Sequence, residues 1–259
     1  MALFNLFERE NIYFPGCFSE AYLPNLIKNY ERVLKKLGIG FKTISSSFCC
    51  SAIVEEAGYE KQARKIAKNN FEIFNEKGIK RIITSCPNCF RMFSQNYKEI
   101  IPNWDIKVEF ILEPILEAIK QGKSRKVDYF GEPIVYYDSC YLARYSRLLS
   151  VPREILKLFG FKLIELSSNN EEVSCCGSCG NLPLIDNALS NKIARNFIKN
   201  LRQQGVKKIV TADSQAYRHL KRNLEKEENI EILEFSEILC DAVGVKKEII
   251  EEESKGEVA

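Results

Sequence analysis

The chain repeats itself, and the repeat limits the folds open to it. Residues Lys65 to Phe90 align without a gap with Lys192 to Tyr217 at an offset of 127, with 8 identities in 26 positions. Such a period is too long for a solenoid, whose units run roughly 20–50 residues, so it marks a duplicated domain. The cysteines repeat as well. Cys17 stands 31 residues before the pair Cys49-Cys50, and Cys140 stands 34 residues before Cys175-Cys176. A chain of 259 residues can supply a separate core to each copy.

Both copies run through the same elements. Asn11 to Pro15 and Pro133 to Tyr137 are short apolar runs rich in β-branched and aromatic residues, which predicts strands. Helices follow over 24–37 and 152–159, then strands over 41–44 and 161–166, then the cysteine pairs. Longer helices are predicted over 60–77 and 188–204; the apolar face of the first is broken only by Asn70. Strands over 80–84 and 207–211 come next, each followed by another helix. Alternation of this kind specifies an α/β fold: two tandem, pseudo-symmetric Rossmann-like domains with parallel sheets. The expected divisions are 1–125, 126–245 and a charged, disordered tail over 246–259, with the join in the polar stretch 121–132. The cysteines fall at or after strand C-terminal ends, the edge where open α/β sheets bind ligands.

Ten cysteines stand against a single histidine, His219. Disulfide scaffolds are mostly short and secreted, and the start of this chain has neither a basic region nor an apolar core that would export it. Intracellular disulfides of hyperthermophiles keep that reading open. Any transition-metal site must be built mainly of thiolate, which favours iron–sulfur clusters or zinc. The net charge of +3 gives no nucleic-acid footprint, and no run of about 18 apolar residues predicts a membrane span. His219 lies among Arg and Lys and reads as solvated. Cys240 reads as a buried small hydrophobe. The apolar start, Met1 to Phe7, reads as packing on the domain or on a partner.

In copy one, Cys17, Cys49-Cys50 and Cys86-Pro87-Asn88-Cys89 are separated by 31 and 35 residues. This pattern resembles the CCG cysteine-rich domain family, in which a cysteine, a CC pair and a C-x-x-C recur at such spacings. Tyr136 to Leu142 (YYDSCYL), Pro152 to Leu156 (PREIL) and Cys175 to Gly180 (CCGSCG) of copy two resemble it too. The family includes the CCG-bearing subunit of heterodisulfide reductase, iron–sulfur subunits of glycolate oxidase and anaerobic glycerol-3-phosphate dehydrogenase, and lactate-utilisation proteins. The resemblance implies that Cys17, Cys49, Cys50, Cys86 and Cys89 hold a [4Fe-4S] cluster, cubane or noncubane. Pro87 should open a helix whose dipole favours the thiolates of Cys86 and Cys89.

The chain also departs from the family. Ser51 stands where CCG has glycine, Tyr137 where histidine is frequent, and Cys179 where relatives carry glycine. Asp213 and Ala216 align with the cysteines of C-x-x-C. Copy two thus offers Cys140, Cys175, Cys176 and Cys179, with Asp213 a candidate oxygen ligand. They suit a second cluster or zinc, or they are a decayed site.

No G-x-G-x-x-G after a strand, no P-loop and no ferredoxin-type cysteine run is present. The reading is an iron–sulfur electron-transfer subunit of a multi-subunit oxidoreductase, reducing a disulfide if it follows heterodisulfide reductase. Expected partners are a flavoprotein, a ferredoxin-type subunit, or both, with a disulfide or quinone-linked acceptor. The expected place is the cytoplasm, or the periphery of a membrane-bound partner. The alternative is a zinc-stabilised, non-redox interaction module.

Overall fold

The computed structural model describes residues 10–44, 48–124, 129–225 and 228–250. Met1 to Phe7, expected to pack on the domain or a partner, lie outside the described residues. Two compact units form. Unit 1 spans the described residues up to Lys123 and takes up residues 248–250; unit 2 spans Ser124 to Lys247.

Unit 1 runs β1 (Asn11–Phe14), α1 (Cys17–Tyr22), α2 (Pro24–Lys36), β2 (Lys42–Thr43), α3 (Ala52–Glu56), α4 (Glu60–Glu76), β3 (Arg81–Thr84), α5 (Pro87–Arg91), a π-turn (Met92–Asn96), α6 (Tyr97–Ile100), β4 (Lys107–Phe110) and α7 (Leu112–Lys120). Its sheet is wholly parallel in the order β2-β1-β3-β4. Pro24 opens α2, where a missing N–H costs nothing, and Leu26, Tyr30, Val33 and Leu34 form its buried stripe. Helix α4 buries Ala63, Ala67, Asn70 and Phe74. The core behind the C-terminal edge of the sheet is aromatic: Phe14, Phe74, Phe93, Tyr97 and Trp104 pack together, with Phe93 stacked on Trp104 at 6.2 Å.

Unit 2 repeats the plan: β5 (Pro133–Tyr136), a π-turn (Tyr141–Tyr145), α8 (Ser150–Leu158), β6 (Lys162–Ile164), a 3₁₀ turn (Asn170–Glu172), α9 (Leu182–Ile185), α10 (Asn187–Gln203), β7 (Lys208–Thr211), α11 (Ser214–Asn223), β8 (Glu231–Glu234) and α12 (Phe235–Val243). Its parallel order is β6-β5-β7-β8. The α/β class with parallel sheets is as the sequence predicts. Each sheet carries a fourth strand, β4 and β8, that the repeat does not reveal. In both orders the chain reverses direction between the two central strands, β1/β3 and β5/β7. The crevice beyond their C-terminal ends is the ligand position of open α/β folds.

Two expectations change. The tail expected to be disordered from 246 is held through Ile250. Asn29 of α2 is fully buried and pairs with both backbone groups of Glu248, at 2.7 and 3.0 Å. Asn25 donates to the Ile249 carbonyl, and Ile250 is buried. A buried Asn that satisfies a passing backbone anchors it, which charge content alone conceals. His219 is half-buried rather than solvated, its Nε2 against the hydroxyl and carbonyl of Ser190 at 3.1 and 3.2 Å. Cys240 is fully buried on α12.

Candidate metal centre

All ten cysteines are free thiols. In unit 1 the five predicted residues arrive from three places. Cys17 opens α1 just past β1. Cys49 and Cys50 form the turn into α3. Cys86 caps α5 just past β3, and Cys89 lies one turn along that helix. The Sγ atoms of Cys50 and Cys89 are 3.2 Å apart. Cys17 is hydrogen-bonded to Cys49, and Cys89 to Cys86 as well as Cys50. Cys50, Cys86 and Cys89 are buried, while Cys17 and Cys49 are partly exposed. The five thiols thus form one connected group with one accessible side.

Gly16 shows how closely that group is fitted. Its φ is +90°, a backbone state that L side chains rarely adopt. A Cβ there would lie 2.8 Å from Cys86 Cβ, 3.3 Å from Cys86 Sγ and 3.4 Å from Cys89 Sγ. Ser51, the departure from CCG, also takes the left-handed region, at φ 72°. Its N–H donates to Cys49 Sγ at 3.3 Å.

The vicinal pair is held from behind. Asn70 Nδ2 donates to the Cys49 carbonyl at 2.8 Å and to the Tyr97 hydroxyl at 2.9 Å; Tyr97 in turn donates to the Cys50 carbonyl at 3.4 Å. Both side chains are buried. The polar break in the apolar face of α4 is the one sequence signal of this support, and periodicity alone gives it no partner. Arg91 reaches Glu55 and Glu56 at 3.3 and 3.2 Å, and Asn96 reaches Glu55 at 2.8 Å, which ties α3 to the helix carrying Cys86 and Cys89.

Crowded thiols divide the proton cost unequally. Cys49 is pulled down to about 6 because Cys17 donates to its sulfur, with the Ser51 N–H adding to this against burial. Cys17 is pushed well up by that same bond, by burial and by neighbouring thiolates. Cys89 is also pushed up, by its bonds to Cys50 and Cys86 and by complete burial. This corrects the expected helix-dipole effect at Cys89. Helix α5 is five residues long, and donation to two sulfurs outweighs a fractional terminal charge.

Unit 2 differs in chemistry on the same frame. Cys140, Cys175 and Cys179 bring their Sγ atoms within 4.8 Å of one another, and Cys175 and Cys179 are 3.0 Å apart. Cys176 does not join them. It is buried, with its sulfur 3.3 Å from the Ser178 hydroxyl. Its N–H donates to the Tyr137 hydroxyl at 3.0 Å, and Tyr137 donates to the Ser174 carbonyl. Burial pushes Cys176 up to about 11 and Tyr137 well above the usual phenol range. Asp213 is no metal ligand here. It caps α11, accepting from the Ser139 hydroxyl at 2.6 Å and from the N–H groups of Gln215 and Ala216 at 2.9 and 3.3 Å.

Beside this site, Arg153 of α8 forks onto Asp138 at 2.6 and 2.8 Å and onto Glu165 at 2.7 and 2.9 Å, all with little or partial exposure. Asp138 also accepts from the Asn170 N–H. The network fixes the backbone just ahead of Cys140.

The cysteine-rich CCG domain pattern matches the chain twice, over residues 12–94 and 134–221. The chain is 28% identical to the EtfAB:quinone oxidoreductase of Syntrophomonas wolfei over 67% of its own length and 24% of that protein's. It is 26% identical to one subunit of the dihydromethanophenazine:CoB–CoM heterodisulfide reductase of Methanosarcina mazei, over 73% of its length and 48% of that protein's. With the lactate utilization protein A of Shouchella clausii it shares 23% identity across 87% of its length and 96% of that protein's. The chain therefore spans less than half of the first two. Among solved structures, glutamate racemase RacE1 of Bacillus anthracis overlaps with a TM-score of 0.40 at 12% identity, covering 88% of this chain and 76% of that one, too loosely to bear on function.

Proposed function

The chain belongs to the CCG cysteine-rich domain family, and from that premise we propose that it is an iron–sulfur electron-transfer subunit of a larger oxidoreductase. Its cluster would be held by Cys17, Cys49, Cys50, Cys86 and Cys89. The observation that carries this is the fit of the donor set: five thiols in one connected group, against a glycine whose Cβ would occupy the same space. Soft thiolates in that number suit iron and sulfide better than any hard cation. When bound, a cluster of this kind takes up and releases single electrons.

The chain's own residues would serve that chemistry in distinct ways. Asn70 and Tyr97 fix the Cys49-Cys50 turn, so that neighbouring sulfurs are presented at set angles. The aromatic core beneath keeps water from the buried thiols. Cys17 and Cys49 form the accessible side, where an electron partner would approach. Five thiols exceed the four that a cubane [4Fe-4S] centre takes, which supports a noncubane arrangement. The named relatives pair such domains with quinone or heterodisulfide chemistry, so the acceptor is proposed to be a disulfide or a quinone-linked protein. A flavoprotein or ferredoxin-type subunit would feed electrons in. Among the described residues no helix is long and apolar enough to cross a membrane. We place the working complex in the cytoplasm or against a membrane-bound partner.

The test is substitution on anaerobically prepared protein. Cys50→Ser and Cys86→Ser should each remove visible absorption and the paramagnetic signal of the reduced cluster. Full iron in both variants would overturn the ligand assignment.

A further inference from the structure

The two units differ at the cysteine site in a correlated way. Gly16 in unit 1 leaves room for Cys86 and Cys89. In unit 2 the residue before the first cysteine is Ser139, and the aligned positions past the strand are Asp213 and Ala216. Ser139 thus stands where unit 1 has Gly16, and its hydroxyl bonds to the Asp213 carboxylate at 2.6 Å. Asp213 is spent on that bond and on two helix N–H groups, and Ala216 carries no donor atom. The β7 side of unit 2 therefore supplies no ligand.

Cys179 supplies the missing thiol from the other side. It follows the vicinal pair at a spacing of four from Cys175, on a loop held by the Gly180 N–H donating to Tyr141 Oη at 3.1 Å. Gly177, with φ +91°, lets the loop turn. A Cβ there would meet the Ser190 carbonyl at 2.6 Å, so the turn cannot shift easily. Its N–H donates to Cys175 Sγ at 3.2 Å.

Sulfur spacing decides what fits. Thiolates bound to one zinc ion at about 2.3 Å lie roughly 4 Å apart. Cys140, Cys175 and Cys179 meet that spacing, all within 4.8 Å of one another. Among the described residues, no three thiols of unit 1 do. A cluster of several irons spreads its thiolates more widely than a single ion. We infer that unit 2 holds one zinc ion on Cys140, Cys175 and Cys179, with a fourth position left to water or an incoming thiol. Cys176 takes no part, since its sulfur is turned to Ser178. His219 is engaged with Ser190. Three protein ligands with an open place distinguish such a site from a closed structural one. Cys175 and Cys179 are partly exposed, so the fourth position is reachable.

The test is metal content and X-ray absorption at the zinc edge on the full chain, purified anaerobically with zinc and iron both supplied. The expected result is about one zinc per chain, with three sulfur scatterers near 2.3 Å and one lighter oxygen or nitrogen. Cys179→Ser should lose the zinc and keep the iron; Cys176→Ala should keep both. Should Cys179→Ser fold poorly, the scatterer count in the wild type still decides. Zinc-free protein with about eight irons, a fourth sulfur scatterer, or loss of zinc in Cys176→Ala would overturn the assignment. The inference stands apart from the unit 1 cluster: absent zinc with iron intact sinks this one alone, and absent iron with zinc intact sinks the other.

Discussion

Replacing Asn70 by leucine sets two physical effects against each other. Leucine would complete the apolar face of α4 and gain up to about 0.5 kcal/mol in helix propensity. Against this, the Cys49 carbonyl loses its 2.8 Å donor, and a buried acceptor left unmet costs about 1–3 kcal/mol. Tyr97 keeps the Cys50 carbonyl at 3.4 Å and so loses one ordinary bond, about 1 kcal/mol. The net is a destabilisation of roughly 2–4 kcal/mol. With a urea dependence of about 1–3 kcal/mol per molar, the midpoint should fall by about 1–2 M. Urea titration of the anaerobic protein measures this, with iron content followed alongside. Tyr97→Phe should shift the midpoint by less, and the double variant by less than the two singles summed, because they share a bond. A leucine variant as stable as the wild type, with full iron, would refute the role assigned to Asn70.

Other outcomes follow from the same geometry. Gly16→Ala forces a Cβ to within 2.8 Å of Cys86 and should abolish iron binding while unit 2 keeps its metal, as read by elemental analysis. Arg153→Ala strands Asp138 and should cost about 3–5 kcal/mol in a denaturation series. Burial holds His219 below its ordinary value of about 6.5, so the unfolded chain binds the extra proton. Its contribution to stability is complete above that pH and lost as pH falls toward the lower folded value. Thermal melts at pH 7.5 and 5.5 should therefore show a smaller acid shift in His219→Gln. Combining Ser139→Gly, Asp213→Cys and Ala216→Cys rebuilds the unit 1 donor pattern in unit 2 and should raise iron per chain.

The sequence is most legible where one interaction dominates. Apolar periodicity places α2, α4, α8 and α10 to within a residue or two, and the strands β1, β3, β5 and β7 likewise. The fourth strands are hidden because Lys107–Phe110 and Glu231–Glu234 are four residues long and charged at alternate positions. Cysteine spacing finds all nine site thiols, yet cannot tell that Cys176 turns away, since adjacent residues share a spacing but not a direction. Asp213 looks like a ligand by position alone; its use as a helix cap depends on Ser139, 74 residues away in sequence. Asn29 and Asn70 escape for a related reason. A buried amide inside an amphipathic helix is visible as an anomaly, but its partner lies in another element.

The most direct test of the five-thiol centre is iron and acid-labile sulfide per chain in the anaerobically purified wild type, beside Cys89→Ser. The assignment predicts about four irons and matching sulfide in the wild type, and loss of both in the variant. Protein that carries zinc but no sulfide, or a variant that keeps its iron, would contradict it.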